Sequence, residues 1–327
     1  MAILVTGSSG HLGEALVRAL QTQRRAVVSI DIRPGAFTHL VGSIVDRAFV
    51  RRCMADIDTV LHAATLHKPH VATHRRQDFI DVNVTGTLNL LEEAAAAGVT
   101  AFVYTSTTSV FGDALVPPPG APATWVTEEV TPMPKNIYGA TKAAAEDLCQ
   151  LFARNHALPT IVLRTSRFFP EEDDDRAARE AYADANSKAN EFLYRRVDIE
   201  DVVSAHLAAT DRAQSTGFAK YIISATTPFG RGDVAELRDH APQVVRRYVP
   251  DYAGEYDRRG WRMLPGIERV YVNDKARAEL GWQPRHDFRR IVARLKANGD
   301  VLSALARQVG SKGYHGRRFG EGPYPVE

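Results

Sequence analysis

Short, mostly apolar runs punctuate the first half of the chain: AILVT (2 to 6), AVVSID (26 to 31), DTVLHAA (58 to 64), AFVYTS (101 to 106) and PTIVLRT (159 to 165). Runs of this length, rich in β-branched residues, read as strands buried on both faces. Between them, over 11 to 23, 46 to 55, 75 to 97 and 138 to 155, apolar residues recur at three- and four-residue spacing, which predicts amphipathic helices. Strand and helix alternating in this way force a parallel sheet with helices on both faces, a doubly wound Rossmann-type α/β fold.

After about residue 165 the alternation weakens. Helices are predicted at 200 to 212, 231 to 240, 273 to 280 and 287 to 297, in a chain rich in charge, Gly and Pro. The expected organisation is a dinucleotide-binding unit over 1 to 165, a smaller substrate-binding lobe over 166 to 310 from which segments can return to the sheet, and a Gly-rich basic tail over 311 to 327. The tail reads as a frayed end in preference to an arm over a partner subunit. Five consecutive carboxylates, EEDDD at 171 to 175, repel one another and predict a solvated loop.

Composition narrows the partners. Of 327 residues 44% are hydrophobic and 24% charged, and the formal charge is only +2, with both signs interspersed. Such a chain buries a large core and offers no field suited to nucleic acid or an anionic membrane, which leaves a small-molecule partner. Cys53 and Cys149 lack metal-ligand spacing and read as core thiols of a reducing compartment. The N-terminus enters a strand pattern with no apolar segment of membrane length, so the expected location is cytoplasmic.

The first strand runs into TGSSGHLG, with Gly7, Gly10 and Gly13 at the turn and the opening of a helix. A helix N-terminus offers unpaired N–H groups and the positive end of the macrodipole, and glycines let a pyrophosphate approach the backbone. Asp31 closes the second strand 18 residues after Gly13. A carboxylate there accepts bonds from both ribose hydroxyls and repels a 2′-phosphate, favouring NAD over NADP, while Arg33 nearby pulls the other way.

YGATK puts Tyr138 and Lys142 on one helix face, where a cation beside a phenol favours the phenolate. Upstream, YTSTTSVFG follows the strand at 101 to 106 and supplies hydroxyls at the carboxyl end of the sheet. Together with HAAT (62 to 65), VNVTGTLNLLEEA (82 to 94), VDIEDVVSAHLAA (197 to 209) and ELGWQP (279 to 284), these motifs resemble the extended short-chain dehydrogenase/reductases, the NAD-dependent epimerase/dehydratase group that includes UDP-galactose 4-epimerases. The resemblance covers nearly the whole chain. It implies hydride transfer at a secondary hydroxyl of a sugar or nucleotide sugar, with Thr107, Tyr138 and Lys142 as the catalytic set. It also implies NAD contacts at Gly7, Ser9, Gly10, His11, Leu12, Gly13, Asp31, Ile32, Arg33, Ser43, Ile44, Ala63, Ala64, Asn83, Thr105, Tyr138 and Lys142. Dimers of this family form through the helices that here span 75 to 97 and 138 to 155, which predicts a homodimer.

Departures from the family pattern shape the reaction. Dehydratases place an Asp-Glu pair after the catalytic Ser/Thr; here Thr108 and Ser109 stand there, and neither is a carboxyl acid or base. A 4-epimerase-like reaction is the first reading. The alternative is a dehydrogenase or reductase of a non-nucleotide sugar, sugar acid or other hydroxy compound, because Arg167 replaces the asparagine that nucleotide-sugar members carry after the sixth strand. A cofactor-binding regulator without turnover is a third reading, opposed by the intact Thr107, Tyr138 and Lys142. His67 and Lys68, with Thr107, Thr108 and Arg167, are the expected substrate contacts. His62, His67, His70 and His74 have spacings that permit zinc, but no acidic or cysteine ligand accompanies them, and no metal is expected. Trp282 is expected in the core of the substrate lobe.

Overall fold

The architecture is that of a computed structural model, which describes residues 2–313 and Phe319. Seven parallel strands form the central sheet: β1 (Ala2–Thr6), β2 (Val27–Asp31), β3 (Leu40–Val41), β4 (Ile57–His62), β5 (Ala101–Thr107), β7 (Thr160–Thr165) and β8 (Phe218–Ile223). Their order is β3-β2-β1-β4-β5-β7-β8. Strands β6 (Thr124–Val126) and β9 (Arg269–Tyr271) pair as a separate two-stranded ribbon.

The alternation of side chains along β1 shows why both faces need covering. Ile3 and Val5 enter one core with the helices His11–Thr22 and Ile199–Thr216, while Leu4 enters the other with Arg47–Cys53, Gly86–Ala96 and Ile137–His156. A third core, built on Phe192, Leu193, Leu237, Val244, Tyr256, Phe288 and Ile291, fills the C-terminal half. The strand order reverses between β1 and β4, so their carboxyl ends diverge and open a crevice, the switch point where doubly wound sheets bind ligands.

All five strand readings and the four N-terminal helix readings have counterparts in the structure. The helix at 76–96 is interrupted by a π-helical stretch, Ile80–Thr85, that carries Asn83. The strand β8 escaped the sequence reading: FAKYII carries Lys220 and lies where the regular alternation has faded. Trp282 joins the sheet-side core, not the lobe, with its indole N–H directed at the Asp201 carbonyl and the Ser204 hydroxyl.

The acidic loop departs most from expectation. Glu171 bonds His11 at 2.9 Å, Asp173 bonds Arg195 at 2.5 Å and Asp174 bonds Lys68 at 2.6 Å. Like charges that repel in sequence are held here by basic side chains from three other segments, so the run is a partly buried tie and not a solvated loop. Of the tail, only Ser311, Lys312, Gly313 and Phe319 fall among the described residues; the reading of a frayed end falls mostly outside them. Cys53 and Cys149 are buried free thiols. Among the described residues no helix is long and apolar enough to cross a membrane.

Candidate active site

At the crevice lies a cavity of about 630 Å³, bounded by the Gly-rich turn, the carboxyl ends of β2, β4, β5 and β7, and the lobe. Gly7 has φ +76°, and a Cβ there would sit 2.8 Å from the Ala64 nitrogen, so the turn presses directly on the chain leaving β4. The helix that follows starts at Gly10 without a side-chain cap, leaving its first N–H groups open to the crevice. Asp31 accepts the Ser9 N–H and the Arg33 N–H, both at 2.9 Å, and so fixes the turn that faces it. An open helix N-terminus with a carboxylate across from it fits a dinucleotide with free ribose hydroxyls.

The floor is held by a neutral histidine. Burial, with Lys142 adding to it, drives His62 well below its ordinary pKa. Thr87 donates its hydroxyl to the Asn83 carbonyl, so it accepts from His62 Nε2; Nδ1 then accepts from Thr6. The Thr6 oxygen in turn receives the N–H groups of Ala63 and Ala64. One side chain thus locks β1, β4 and the loop under the cofactor groove.

Tyr138 is the second residue of the helix Ile137–His156, whose cap Asn136 accepts the Gly139 N–H. A Cβ on Gly139 would stand 2.7 Å from the Ser109 carbonyl. Glycine therefore lets this helix approach the loop after β5 and brings Tyr138 beside Thr107, both lining the cavity. Burial raises the Tyr138 pKa, and the bond to Thr107 only partly opposes it. Lys142, fully enclosed, is lowered to about 7 by burial. Its ammonium donates to the Thr105 carbonyl at 2.6 Å and lies 4.1 Å from the centre of the Tyr104 ring. Burial is the larger influence on the Tyr138 phenol and favours its proton-holding form at neutral pH.

Behind this pair, Glu146 takes Arg164 at 2.7 Å, Ser106 at 2.6 Å and Lys220 at 3.1 Å, an ion cluster that ties the same helix to β5, β7 and β8. The Thr105 hydroxyl bonds His206 Nε2 at 2.8 Å. His206 donates Nδ1–H to the Val202 carbonyl, and burial brings its pKa down to about 4, so Nε2 is the acceptor.

The expected cofactor residues Gly7, Gly10, His11, Leu12, Gly13, Asp31, Ile32, Arg33, Ser43, Ile44, Ala63, Ala64, Thr105, Tyr138 and Lys142 all line the cavity. So do His67, Lys68, Thr107, Thr108 and Arg167. Two do not. Ser9 turns to Thr38 and the Arg33 carbonyl. Asn83 is buried and directs its amide to Leu66, Thr65 and Thr141, stitching the cavity's loop to the Tyr138 helix. His67 packs edge-on to Tyr138 and Phe169, with ring centres 4.9 and 4.7 Å away, and burial lowers its pKa well below the usual value. Its backbone N–H donates to His70 Nδ1. Among the described residues the side chains close enough to share a metal ion are Asp198, Glu200 and His286, outside the cavity, and Asp198 there caps the helix Ile199–Thr216.

Sequence reading missed Asp174, Arg195, Arg269 and Lys312, which also line the cavity. Asp174 lies in the acidic run read as a solvated loop, and the other three in segments where no site was read; only the fold brings them to one place.

The description "NAD dependent epimerase/dehydratase family" matches residues 3–223. This chain is similar to a UDP-glucose 4-epimerase of Azospirillum brasilense, 25% identical over 93% of this chain and 91% of that one. It is also similar to a dTDP-glucose 4,6-dehydratase of Neisseria meningitidis, 32% identical over 50% and 52%. With several other curated relatives the chain spans only 39% to 57% of their length. A short-chain dehydrogenase/reductase superfamily protein from Agrobacterium tumefaciens, solved with bound NAD, shares the fold at a TM-score of 0.65, with 22% identity and 94% and 97% of the two chains covered.

Proposed function

The chain belongs to the NAD dependent epimerase/dehydratase family, and on that premise we propose that it oxidises a secondary hydroxyl of a sugar, with Tyr138 taking the hydroxyl proton. The observation that carries this is the Tyr138–Thr107 hydroxyl pair, buried in the same cavity as the Gly-rich turn and Asp31.

NAD, when bound, supplies the hydride acceptor and a positive charge at the redox ring. Gly7, Gly10, His11, Leu12 and Gly13 would hold its pyrophosphate side, and Asp31 its adenosine ribose. Thr107 donates to or accepts from the substrate oxygen as charge develops on it, and Tyr138 carries its proton. Lys142, anchored on the Thr105 carbonyl, fixes the spacing of helix and strand on which that pair depends. Acid/base help of this kind contributes roughly two to four powers of ten in rate.

Epimerisation at C4 of a nucleotide sugar is the first reading, by the precedent of the relatives. Elimination of water is disfavoured because Thr108 and Ser109 offer no carboxyl. A second reading, net dehydrogenation or reduction of a sugar without a nucleotide, is favoured by Arg167, which stands where nucleotide-sugar members carry asparagine and whose Nη2 donates to the Glu171 and Glu172 carbonyls. A homodimer through the helices at 76–96 and 137–156, in a cytoplasmic setting, completes the proposal.

The test is to purify the protein, quantify retained NAD, and follow nicotinamide absorbance and sugar stereochemistry with candidate sugars and sugar nucleotides. Retained NAD with inversion at C4 and no NADH accumulating supports the epimerase; stoichiometric NADH supports the dehydrogenase. Full activity in Tyr138→Phe sinks both.

A further inference from the structure

The lobe side of the cavity holds an unusual density of charge, and most of it is already matched within the chain. Lys68 pairs with Asp174 at 2.6 Å. Arg167 lies 3.5 Å from Asp174, 3.7 Å from Asp173 and 3.8 Å from Glu191. Arg195 bonds Asp173 at 2.5 Å and Glu191 at 2.7 Å, and Arg196 bonds Glu191 at 2.9 Å. Glu171, on the same loop, faces His11 and receives the Ser311 hydroxyl. Four cations, Lys68, Arg167, Arg195 and Arg196, thus share their region with four carboxylates, Glu171, Asp173, Asp174 and Glu191.

Arg269 stands outside that balance. It is carried by β9 at the lobe edge of the cavity, and none of the described ion pairs includes it; its neighbour Glu268 is taken by Arg238 at 2.9 Å. Its Nε is buried with no hydrogen-bond partner among the described residues, and so is the Nε of Arg195. Both guanidinium groups lie against one ring, with centres 5.5 Å (Arg195) and 5.9 Å (Arg269) from that of Tyr194, and both line the cavity. Two buried donors on one wall, beside the one guanidinium of that wall outside the ion pairs among the described residues, call for an acceptor of one negative charge. A guanidinium fork matches a carboxylate in two parallel bonds. A diphosphate, with two charges and no spare arginines beyond this one, would have to displace Asp173 or Asp174 from their partners.

We infer that Arg269, with Arg195 beside it, binds a substrate carboxylate, so that the substrate is a sugar acid or similar polyhydroxy acid without a nucleotide. This rests on the proposed hydride transfer at a sugar hydroxyl, and selects the second of its two readings. The Asp173 and Asp174 carboxylates act here as specificity determinants: by holding Arg195, Arg167 and Lys68 they leave room for one anionic group only.

The test uses the full-length, NAD-loaded protein and titration calorimetry with glucuronate, gluconate, glucose and UDP-glucose, in parallel with absorbance at the reduced-nicotinamide band. At least one of the two acids is expected to bind ten-fold or more tightly than glucose and UDP-glucose. Arg269→Gln should abolish that preference, and Arg269→Lys should restore only part of it, with NAD affinity unchanged in both. Tighter binding of UDP-glucose, equal binding of glucose, or an acid preference that survives Arg269→Gln each overturns the assignment. An acid that binds through Arg269 yet yields neither NADH nor an epimer leaves the carboxylate site standing and refutes the hydride reading. NADH formed from glucose or UDP-glucose regardless of Arg269 does the reverse.

Discussion

The Lys142 ammonium is bound to the Thr105 carbonyl at 2.6 Å, across the gap between the helix Ile137–His156 and β5. A side chain that the spacing in YGATK aligns with Tyr138 serves, in the folded chain, as a brace. It ties the helix carrying Tyr138 to the strand that ends at Thr107. The protein interior itself favours the protonated phenol, so the proposed base role calls for positive charge brought by the cofactor.

Replacing Tyr138 by Phe removes one oxygen from a buried, well-packed site. Turnover should fall by roughly two to four powers of ten while NAD affinity and thermal stability stay near wild type. Steady-state kinetics together with fluorescence titration of NAD check this, and retention of more than a tenth of wild-type turnover would count against the base assignment.

Lys142 offers a pH signature. Its folded pKa is lowered to about 7 from 10.5. Below pH 7 it is charged in both states and the desolvation penalty is fully present. Between about 7 and 10.5 the unfolded chain binds the extra proton, so wild-type stability gains with rising pH. Lys142→Met should therefore be the more stable protein at pH 6, by an amount on the order of a few kcal/mol less the lost bond to Thr105. That advantage should shrink steadily toward pH 10. Urea unfolding of both proteins across that range decides it; a gap that does not change with pH contradicts the burial argument.

Glu146 and Arg164 are both almost fully enclosed, with 1% and 3% of their side chains exposed. Glu146→Gln leaves Arg164 charged in the interior, a loss of about 3–5 kcal/mol for a buried pair broken on one side, while Lys220, at the cluster's more open edge, keeps Asp147 at 3.6 Å. A clearly lowered melting temperature is expected, together with weaker activity, since Glu146 also holds Ser106, the neighbour of Thr107. Differential scanning calorimetry gives the answer directly, and an unchanged melting temperature would show that the cluster is dispensable.

Removing the Asp31 carboxylate, as in Asp31→Ala, takes away the acceptor proposed for the ribose and the anchor of Ser9 and Arg33. NAD affinity should drop about tenfold or more, and NADP should gain relative to NAD because the repulsion of its 2′-phosphate is gone. Side-by-side titrations with the two dinucleotides measure the ratio. If the preference for NAD persists, discrimination resides elsewhere in the groove.

Leu151 and Ile80 remain 37% and 38% exposed on the helices proposed to form the dimer. Leu151→Glu should shift the protein toward monomer in sedimentation velocity with its circular dichroism unaltered. A wild type that is already monomeric at micromolar concentration would remove that interface.

The chain's own pattern determined the doubly wound sheet, the helix that opens at Gly10 and the place of Tyr138, because each depends on local periodicity or on a turn that few residues can make. The tertiary structure decided what these meet. Nothing near Glu171 in sequence announces His11, and nothing near Asp174 announces Lys68, so a run of like charges reads as solvated until distant cations are folded against it. Asn83 shows the same limit: its motif suggested the cofactor, and its buried amide holds loop to helix instead. The strand β8 and the wall formed by Arg195 and Arg269 are likewise invisible one-dimensionally. Short or charged segments carry little periodic signal, and charge acquires its meaning only from the partners and the dielectric that folding puts around it.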